Sequence, residues 1–175
     1  MSLDQDLLAS LAAKEEIREL ALLYSRGVDR KDFALLRSLY THDGVDVHGD
    51  HFNGPASDYV AWLETMLPRL RYSGHHVCNH LISVAGDEGE GEVYAIAWHI
   101  APDMGGGFVE DIQLVRYLDH YRKEAGRWRF ARRDVAFDVR TVRPVEDVDR
   151  VAPAVTTELS YAVLTSRLFG RGARA

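Results

Sequence analysis

Apolar residues recur every three or four positions near the start of the chain, in a stretch rich in Ala, Glu and Leu. The residues at this spacing are Ile17, Leu20, Ala21, Tyr24 and Val28. Such a period places them on one face of a helix and predicts an amphipathic first helix over residues 10–28. Asp29 then lies at the C-terminal end of that helix.

A second helical pattern follows after a short turn. Its apolar positions are Phe33, Leu35, Leu36, Leu39 and Tyr40. Asp32 is the predicted N-cap, because its side chain can accept a hydrogen bond from the first free backbone N–H groups. We therefore expect two antiparallel helices joined by a tight turn.

The next segment predicts a strand and a third helix. Val45–His48 alternates apolar and polar residues, as a half-buried strand does, and the turn residues Asn53–Pro55 are expected to end it. A helix over Tyr59–Leu67 follows, with Ser57 or Asp58 as its cap. Pro68 is expected to stop this helix, because proline lacks the backbone donor.

The pattern then changes to four long β-rich runs separated by turns that contain glycine. These runs are Tyr72–Val84, Glu92–Ala101, Phe108–Tyr121 and Arg127–Arg140. Four consecutive runs predict an antiparallel meander. Helices followed by strands indicate an α+β domain in which the helices cover one face of a curved antiparallel sheet.

The tail from Val151 to Ala175 has a helical pattern of its own. Thr156–Phe169 predicts a C-terminal helix with one apolar side, formed by Leu159, Val163, Leu164 and Leu168. We expect it to pack against a neighbouring subunit. The predicted division is a barrel domain at 1–150 and a C-terminal helical extension at 151–175.

Composition and charge exclude several classes of protein. The 21 basic and 27 acidic residues give a net charge of −6, which disfavours nucleic-acid binding because phosphate recognition depends on clustered Lys and Arg. The longest nearly uncharged run, Val93–Pro102, is far shorter than the roughly 20 apolar residues of a membrane span. With a single cysteine, Cys78, and no signal-peptide pattern at the start, we expect a cytoplasmic protein without disulfides.

Histidine is concentrated in Gly74–His80, and three roles compete there. Strand alternation predicts His76 and His80 on one face and His75 on the other, so a shared metal site is disfavoured, and we expect no metal. For His76 and His80 an exposed or hydrogen-bonded row is the simpler interpretation. His75 fits a general base on the concave side of the sheet.

Asp29 is the predicted partner of His75. A carboxylate near the negative end of a helix dipole is unfavourable unless a cation or donors compensate it, and an imidazolium would do so. The alternative, that Asp29 only initiates the turn, stays open at this point.

Other polar groups have weaker signals. Tyr24 lies near the face of Asp29 and is a candidate hydrogen-bond donor to a substrate carbonyl, although a core aromatic is the alternative. His99 lies in an apolar strand, where a polar side chain needs a partner or a cavity. Cys78 is a poor nucleophile candidate, and Gly105–Gly107 lacks the setting of a nucleotide-binding loop.

Basic residues alternate with aromatic ones between residues 127 and 133. The arginines are Arg127, Arg129, Arg132 and Arg133. On an acidic chain we expect them to lie on the outer face of the sheet and to pair with carboxylates.

The element order and three segments, Tyr24–Phe33, Gly74–Asn79 and Gly126–Phe130, resemble the SnoaL-like branch of the nuclear transport factor 2-like superfamily. The resemblance spans roughly Leu8 to Arg140 and is strongest to the group of scytalone dehydratase, hexachlorocyclohexane dehydrochlorinase and bile acid 7α-dehydratase. It implies a cone-shaped barrel of a curved antiparallel sheet that wraps a deep apolar pocket closed by the N-terminal helices.

The resemblance also implies roles for individual residues. Asp29 and His75 match the lyase pair in which an Asp orients a proton-abstracting His. Tyr24 matches a substrate-polarising Tyr, His99 resembles a second, deeper His, and His48 stands where scytalone dehydratase has a pocket Tyr.

The chain also departs from these patterns. Tyr24 stands where the dehydrochlorinase has its essential Lys. Lys123 and Glu124 stand in the region of that enzyme's catalytic Arg. One of the two carbonyl-polarising tyrosines of scytalone dehydratase is replaced by Val28.

From these residues we expect a cofactor-independent lyase or isomerase of the dehydratase type, acting on a small apolar, cyclic, oxygenated substrate. His75 is the expected base and Asp29 its partner. Tyr24 and His48 are expected to hydrogen-bond the developing enolate oxygen, and His99 to protonate a departing hydroxyl. We expect the substrate also to contact Val28 and Trp98.

The alternatives are a non-catalytic ligand-binding or assembly subunit of the same fold and a polyketide cyclase. Members of the family are commonly dimers or trimers. A homodimer or homotrimer is therefore expected, without a nucleic-acid or membrane partner.

Overall fold

Residues 3–146 and 158–174 are described by the computed structural model of the chain. Four α-helices occur in this part: α1 (Leu3–Asp29), α2 (Phe33–Ser38), α3 (Ala56–Met66) and α4 (Leu159–Val163). Single 3₁₀ turns follow α3 at Leu67–Arg69 and α4 at Arg167–Phe169. No described helix is long and apolar enough to cross a membrane.

Six strands form one curved sheet. They are β1 (Tyr40–His48), β2 (Phe52–Pro55), β3 (Tyr72–Ala85), β4 (Glu88–Pro102), β5 (Phe108–Glu124) and β6 (Arg127–Val145). Their order across the sheet is β2-β1-β6-β5-β4-β3, and every neighbouring pair is antiparallel except β1 with β6. The predicted α+β class and the meander are confirmed. The sheet is cone-like and open, because β2 and β3 end it without pairing with each other.

The N-terminal helices pack on the concave side of this sheet, as predicted. On α1 the side chains of Ile17, Leu20 and Tyr24 are each at most 4% exposed. Each buried side chain of this size contributes roughly 1.5–3 kcal/mol through the hydrophobic effect. Gly27 lets α1 approach α2 closely, because a Cβ at this position would lie 2.7 Å from Cδ2 of Leu36. The α1–α2 corner therefore has no room for a larger residue there.

Several predicted boundaries were wrong. The first helix begins at Leu3 rather than residue 10, and the first strand begins at Tyr40, which ends the second helix at Ser38. Asn53–Pro55, predicted as a turn, belongs to β2, which pairs with β1 at the edge of the sheet, where proline is tolerated. Asp32 is confirmed as the cap of α2 through its 3.1 Å bond from the backbone N–H of Leu35. Pro55 precedes α3, and neither Ser57 nor Asp58 caps it.

The first strand buries its polar face, contrary to the usual pattern. Asp46 is fully buried, and His48 on the same face is partly buried, whereas Val45 and Val47 are only half-buried. The hydroxyl of Tyr40 donates a 2.7 Å hydrogen bond to Oδ2 of Asp46, which gives the buried carboxylate one partner. The concave side of the sheet is therefore polar at this strand.

Two irregularities in the sheet reverse the predicted direction of side chains. A register shift between Val77 and His80 turns His80 inward, where its Nε2 lies 3.1 Å from the hydroxyl of Tyr121. A second shift, opposite Phe130 and Arg132, turns Arg133 into the core, where it is fully buried. The predictions that His80 shares a face with His76 and that Arg133 lies on the outer face were wrong, because a β-bulge adds one residue to the two-residue period.

The C-terminal segment folds back onto the α1–α2 corner. The helix there is shorter than predicted, since α4 covers only Leu159–Val163, and residues 156 and 157 lie outside the described part. Asp32 Oδ2 accepts hydrogen bonds from the Tyr161 hydroxyl and the backbone N–H of Gly172, at 3.3 and 2.9 Å. The two-part division of the chain and association through this tail stay predictions.

Candidate active site

A cavity of about 220 Å³ lies between the helices and the concave side of the sheet. Its wall includes five of the predicted residues, namely Tyr24, Val28, His48, His75 and His99. Aromatic and aliphatic side chains from α3 and the following turn, among them Tyr59, Trp62 and Leu67, close the other side. A mostly apolar cavity with a few convergent polar groups is the usual form of a small-molecule site.

Asp29 and His75 form a close pair at this cavity. Nδ1 of His75 lies 2.7 Å from Oδ1 of Asp29, and the two side chains are only 8% and 10% exposed. A carboxylate accepts hydrogen bonds and cannot donate them, so Nδ1 carries the hydrogen. The other ring nitrogen, Nε2, is then left with its lone pair, as a general base requires.

Further donors hold the Asp29 carboxylate. Oδ1 also accepts a 3.1 Å bond from the Ser73 hydroxyl, and Oδ2 accepts a 3.0 Å bond from the backbone N–H of His75. Lys31, two residues later, has a left-handed backbone with φ of 53°, which reverses the chain after α1. These contacts compensate the unfavourable position of a carboxylate at the negative end of a helix. Asp29 therefore does more than initiate a turn.

His99 lies beside His75 on the neighbouring strand, with a distance of 5.4 Å between the two ring centroids. Burial and the adjacent His75 lower the pKa of His99 to about 4. The ring of His99 is therefore neutral near neutral pH, where it can donate or accept a hydrogen bond but holds no extra proton. This environment does not favour the proton-donor role that we expected for it.

Tyr24 is paired with a residue that the sequence analysis did not identify. Its hydroxyl lies 2.7 Å from the hydroxyl of Tyr59, and both residues are 1% exposed. Burial, followed by the charge of Asp46, raises the pKa of Tyr24 well above its usual value. Both phenols therefore stay protonated, and because one bond between two hydroxyls uses one hydrogen, the other hydrogen stays free for a ligand.

His48 has a carboxylate partner of its own. Its Nδ1 lies 3.3 Å from Oδ1 of Asp46, and its ring stacks on that of Tyr59 with 5.2 Å between the centroids. The His48 side chain is 20% exposed, whereas Asp46 is fully buried. A second histidine–carboxylate pair therefore faces the same cavity.

Trp98 does not line the cavity, so its predicted contact with the substrate was wrong. Trp98 directly precedes the cavity residue His99 on β4, so its side chain points to the opposite, outer face of the sheet, where it is 37% exposed. There its ring packs edge-on against Tyr72, with 5.5 Å between the centroids.

Further polar residues of the cavity were missed in the sequence, namely His51 and the cluster of Asp111, Gln113 and Arg140. Arg140 donates two hydrogen bonds to Asp111, at 2.9 and 2.8 Å, and Gln113 donates a third, at 2.9 Å. The register Gln113↔Arg140 brings β5 and β6 together here, and β5 pairs Asp111 with His99 of β4. Only strand pairing reveals this cluster, although the period-two spacing of Asp111 and Gln113 was visible in the sequence.

An exposed cluster outside the cavity brings His42, Asp43 and Glu124 within 4.8 Å of one another. Arg122 donates a hydrogen bond to Asp43, and Nε of Arg129 lies 3.9 Å from Glu124. These arginines neutralise the carboxylates that a cation would need. The cluster therefore offers a metal ion little net charge.

Comparisons with known proteins agree with this architecture. A protein provisionally named a scytalone dehydratase, from Novosphingobium aromaticivorans, is 23% identical, with a TM-score of 0.67 over 86% of this chain and 100% of that chain. A hexachlorocyclohexane dehydrochlorinase from Novosphingobium barchaimii is 22% identical, with a TM-score of 0.64 over 86% and 99%. A protein from Kribbella flavida is 20% identical, with a TM-score of 0.67 over 74% and 93%.

The TM-scores of 0.64 to 0.67 show that these proteins share the fold of this chain. A comparison with curated protein sequences finds no match. A family model described as a SnoaL-like domain matches residues 9–134, which is most of the chain. The chain therefore belongs to the SnoaL-like family.

Proposed function

We propose that the protein is a cofactor-independent lyase or isomerase of the dehydratase type. The observation that carries this proposal is the 2.7 Å contact between Asp29 and His75 at the wall of a partly open, largely apolar cavity. The contact leaves Nε2 of His75 able to take a proton from a bound molecule. Asp29 is a positioning residue, which fixes the tautomer of His75 and stabilises the imidazolium that forms.

The size of the cavity limits the substrate. A cavity of about 150 Å³ accommodates benzene, and the cavity of about 220 Å³ described above exceeds that volume only moderately. One ring with a few oxygen substituents fits within this volume. The proposed substrate is therefore a small cyclic β-hydroxy ketone or a related monocyclic compound.

The proposed reaction begins with removal of a proton from the carbon beside the carbonyl. His75 Nε2 accepts this proton, and negative charge develops on the carbonyl oxygen. The free hydrogen of the Tyr24–Tyr59 pair is placed to donate to that oxygen, and such donation lowers the barrier because the donor is already oriented in a dry site. Departure of a hydroxyl group from the neighbouring carbon then completes a dehydration.

The structural neighbours support elimination chemistry, because a dehydratase and a dehydrochlorinase both remove a small group across a carbon–carbon bond. Here, Tyr24 replaces the Lys that the resemblance implies for the dehydrochlorinase. The proposal therefore favours loss of water over loss of chloride.

The first test offers the protein a panel of six-membered β-hydroxy ketones in deuterated water. Proton NMR then measures two rates, the exchange of the α-hydrogen for deuterium and the formation of the unsaturated ketone. Asp29→Asn is expected to lower both rates by about 10²–10⁴-fold, because His75 loses its tautomer and its charge partner. The far-UV circular dichroism of this variant is expected to match that of the wild type.

Asp58→Asn is the matched control, since Asp58 is exposed on α3 and is not among the residues that line the cavity. It is expected to retain both rates. A wild-type protein that catalyses neither exchange nor elimination on any compound of the panel contradicts the proposal and favours a binding or assembly role. A cyclised product formed from an open-chain precursor favours a polyketide cyclase.

A further inference from the structure

The proposed dehydration needs a proton donor that the expected residues do not supply. Hydroxide is a poor leaving group, so a positioned acid must protonate the departing oxygen. His75 is occupied as the base, and His99, with its pKa lowered to about 4 by burial and by His75, carries no extra proton near neutral pH. Burial raises the pKa of Tyr59 well above its usual value, which makes this phenol a weak acid.

His48 is placed differently from His99. Its Nδ1 faces Asp46 at 3.3 Å, so the opposite nitrogen, Nε2, is the one available to the cavity. Stacking on Tyr59, at 5.2 Å, and an edge contact with Phe137, at 5.8 Å, hold the ring in this orientation. Because β1 and β3 lie toward opposite ends of the open sheet, His48 and His75 reach the cavity from different sides.

The charges around Asp46 favour a proton on this pair. Asp46 is fully buried, and the Tyr40 hydroxyl is its one other hydrogen-bond donor among the described residues. Arg133, the cross-strand partner of Asp46 on β6, is fully buried and donates two 2.8 Å bonds to Asp119, and its Nη1 has no hydrogen-bond partner among the described residues. A buried carboxylate without a cation beside it is costly. Of these two side chains that can carry positive charge near Asp46, His48 is the one whose ring nitrogen lies 3.3 Å from the carboxylate and whose ring lines the cavity.

We propose that His48, oriented and charge-balanced by Asp46, is the acid that protonates the departing hydroxyl group. This inference rests on the proposed function and adds the second half of its chemistry. His75 takes the α-proton and becomes cationic, the carbon–oxygen bond breaks, and the Nε2 hydrogen of His48 goes to the leaving oxygen as water forms. His48 becomes neutral, and exchange with water returns the proton from His75 to His48.

Titratable groups face this pair from each element around the cavity. They are Tyr24 from α1, Tyr40 and Asp46 from β1, His51 from the turn after β1, Tyr59 from α3, His75 from β3, His99 from β4, Asp111 from β5, and Arg133 and Arg140 from β6. Asp111 and Arg140 neutralise each other, as Asp119 and Arg133 do.

The test separates the two halves of the reaction in deuterated water. His48→Gln is expected to keep α-hydrogen exchange close to the wild-type rate, because His75 and Asp29 are intact. Elimination is expected to fall by about 10²–10⁴-fold, the usual contribution of a general acid. His76→Gln, which removes an exposed histidine from β3, is the matched control and is expected to retain both rates.

A substrate analogue sharpens this test. When chlorine replaces the β-hydroxyl group, the leaving group departs as chloride and needs no proton. His48→Gln is therefore expected to eliminate chloride at close to the wild-type rate. Asp46→Asn is expected to show the same selective loss of dehydration. This second variant keeps the test informative if His48→Gln does not fold.

The outcomes distinguish the two proposals. An active wild type whose His48→Gln variant keeps dehydration, or loses exchange and dehydration equally, contradicts the role of His48 while the proposed function stands. A wild type without either reaction contradicts both.

Discussion

Two histidine–carboxylate pairs face one cavity, and their surroundings differ. In the Asp29–His75 pair, the Ser73 hydroxyl and the backbone N–H of His75 also donate to the carboxylate. In the Asp46–His48 pair, the carboxylate is fully buried and the Tyr40 hydroxyl is its other donor among the described residues. Among the described residues, the first carboxylate therefore has three hydrogen-bond contacts and the second has two.

The difference teaches how one pair of residue types can serve two opposite tasks. Hydrogen bonds to a carboxylate stabilise its charge and reduce its need for a protonated neighbour, and burial without such bonds has the opposite effect. Environments that separate two titratable groups in this way assign the base and the acid. Under the two proposals above, this difference assigns proton acceptance to the Asp29–His75 pair and proton donation to the Asp46–His48 pair.

The largest expected effect concerns a third buried carboxylate, Asp119, whose partner is permanently charged. Arg133→Met leaves Asp119 without its cation and removes a guanidinium that lies 4.1–4.2 Å from the ring centroids of Tyr24, Tyr117 and Phe130. We expect the free energy of unfolding to fall by about 3–5 kcal/mol. Urea denaturation measures this change.

The double variant Arg133→Met with Asp119→Leu is the control for that prediction. It removes both charges and is expected to recover much of the lost stability, because an apolar pair needs no charge balance. A single variant as stable as the wild type would show that a buried carboxylate in this core tolerates the loss of its cation. The argument that burial of Asp46 favours a positively charged neighbour would then be contradicted.

The second prediction concerns pH. The folded state keeps His99 neutral down to a pKa of about 4, because of burial and the adjacent His75, whereas the unfolded chain takes up this proton near pH 6.5. Between these values the unfolded state binds more protons, so stability falls as the pH is lowered through this range, by about 3 kcal/mol in total. His99→Gln is expected to remove that part of the pH dependence.

Denaturation at pH 7 and pH 4.5 measures the effect in both proteins. Burial also lowers the pKa of His80, but that contribution is present in the wild type and in the variant and cancels from their difference. Equal pH dependence in the two proteins would show that folding leaves the pKa of His99 near its ordinary value and would return His99 to the list of possible acids.

The smallest expected effect concerns the donors around Asp29. Ser73→Ala removes the 3.1 Å hydrogen bond to Oδ1, and the loss of one such bond amounts to about 1 kcal/mol, or roughly fivefold in the exchange rate. Ser57→Ala on the exposed side of α3 is the control, and an unchanged exchange rate in Ser73→Ala would mean that the backbone donor alone holds Asp29.

Much of the fold could be predicted because its signals are local. Helical spacing identified α1 and α2, and Asp32 is a cap in the structure as in the sequence. The four long strands followed from runs of β-formers between glycine turns. The Asp29–His75 contact could be predicted because a carboxylate at a helix end and a histidine on a strand each needed a hydrogen-bond partner.

The remainder depended on information that is not local. The bulges near His80 and Arg133 change the direction of later side chains, and no residue type marks them. Asp46 was missed because its strand buries the polar face. The alternation of apolar and polar residues alone predicts that this face is exposed to solvent. Asp111 and Arg140 meet only through strand register, and the contacts of the C-terminal segment join residues more than 100 positions apart, such as Asp32 and Gly172.

The hydrogen bond between Asp29 and the backbone of His75 also affects how separate molecules of the protein can associate. Strand β3 is an edge of the open sheet, and a free edge invites a strand from another molecule to pair with it, which is a route to aggregation. The N–H of His75 points away from β4 and is already bound to Asp29, on a helix that lies along this edge. The contact that orients the base thus also closes part of the edge to other chains.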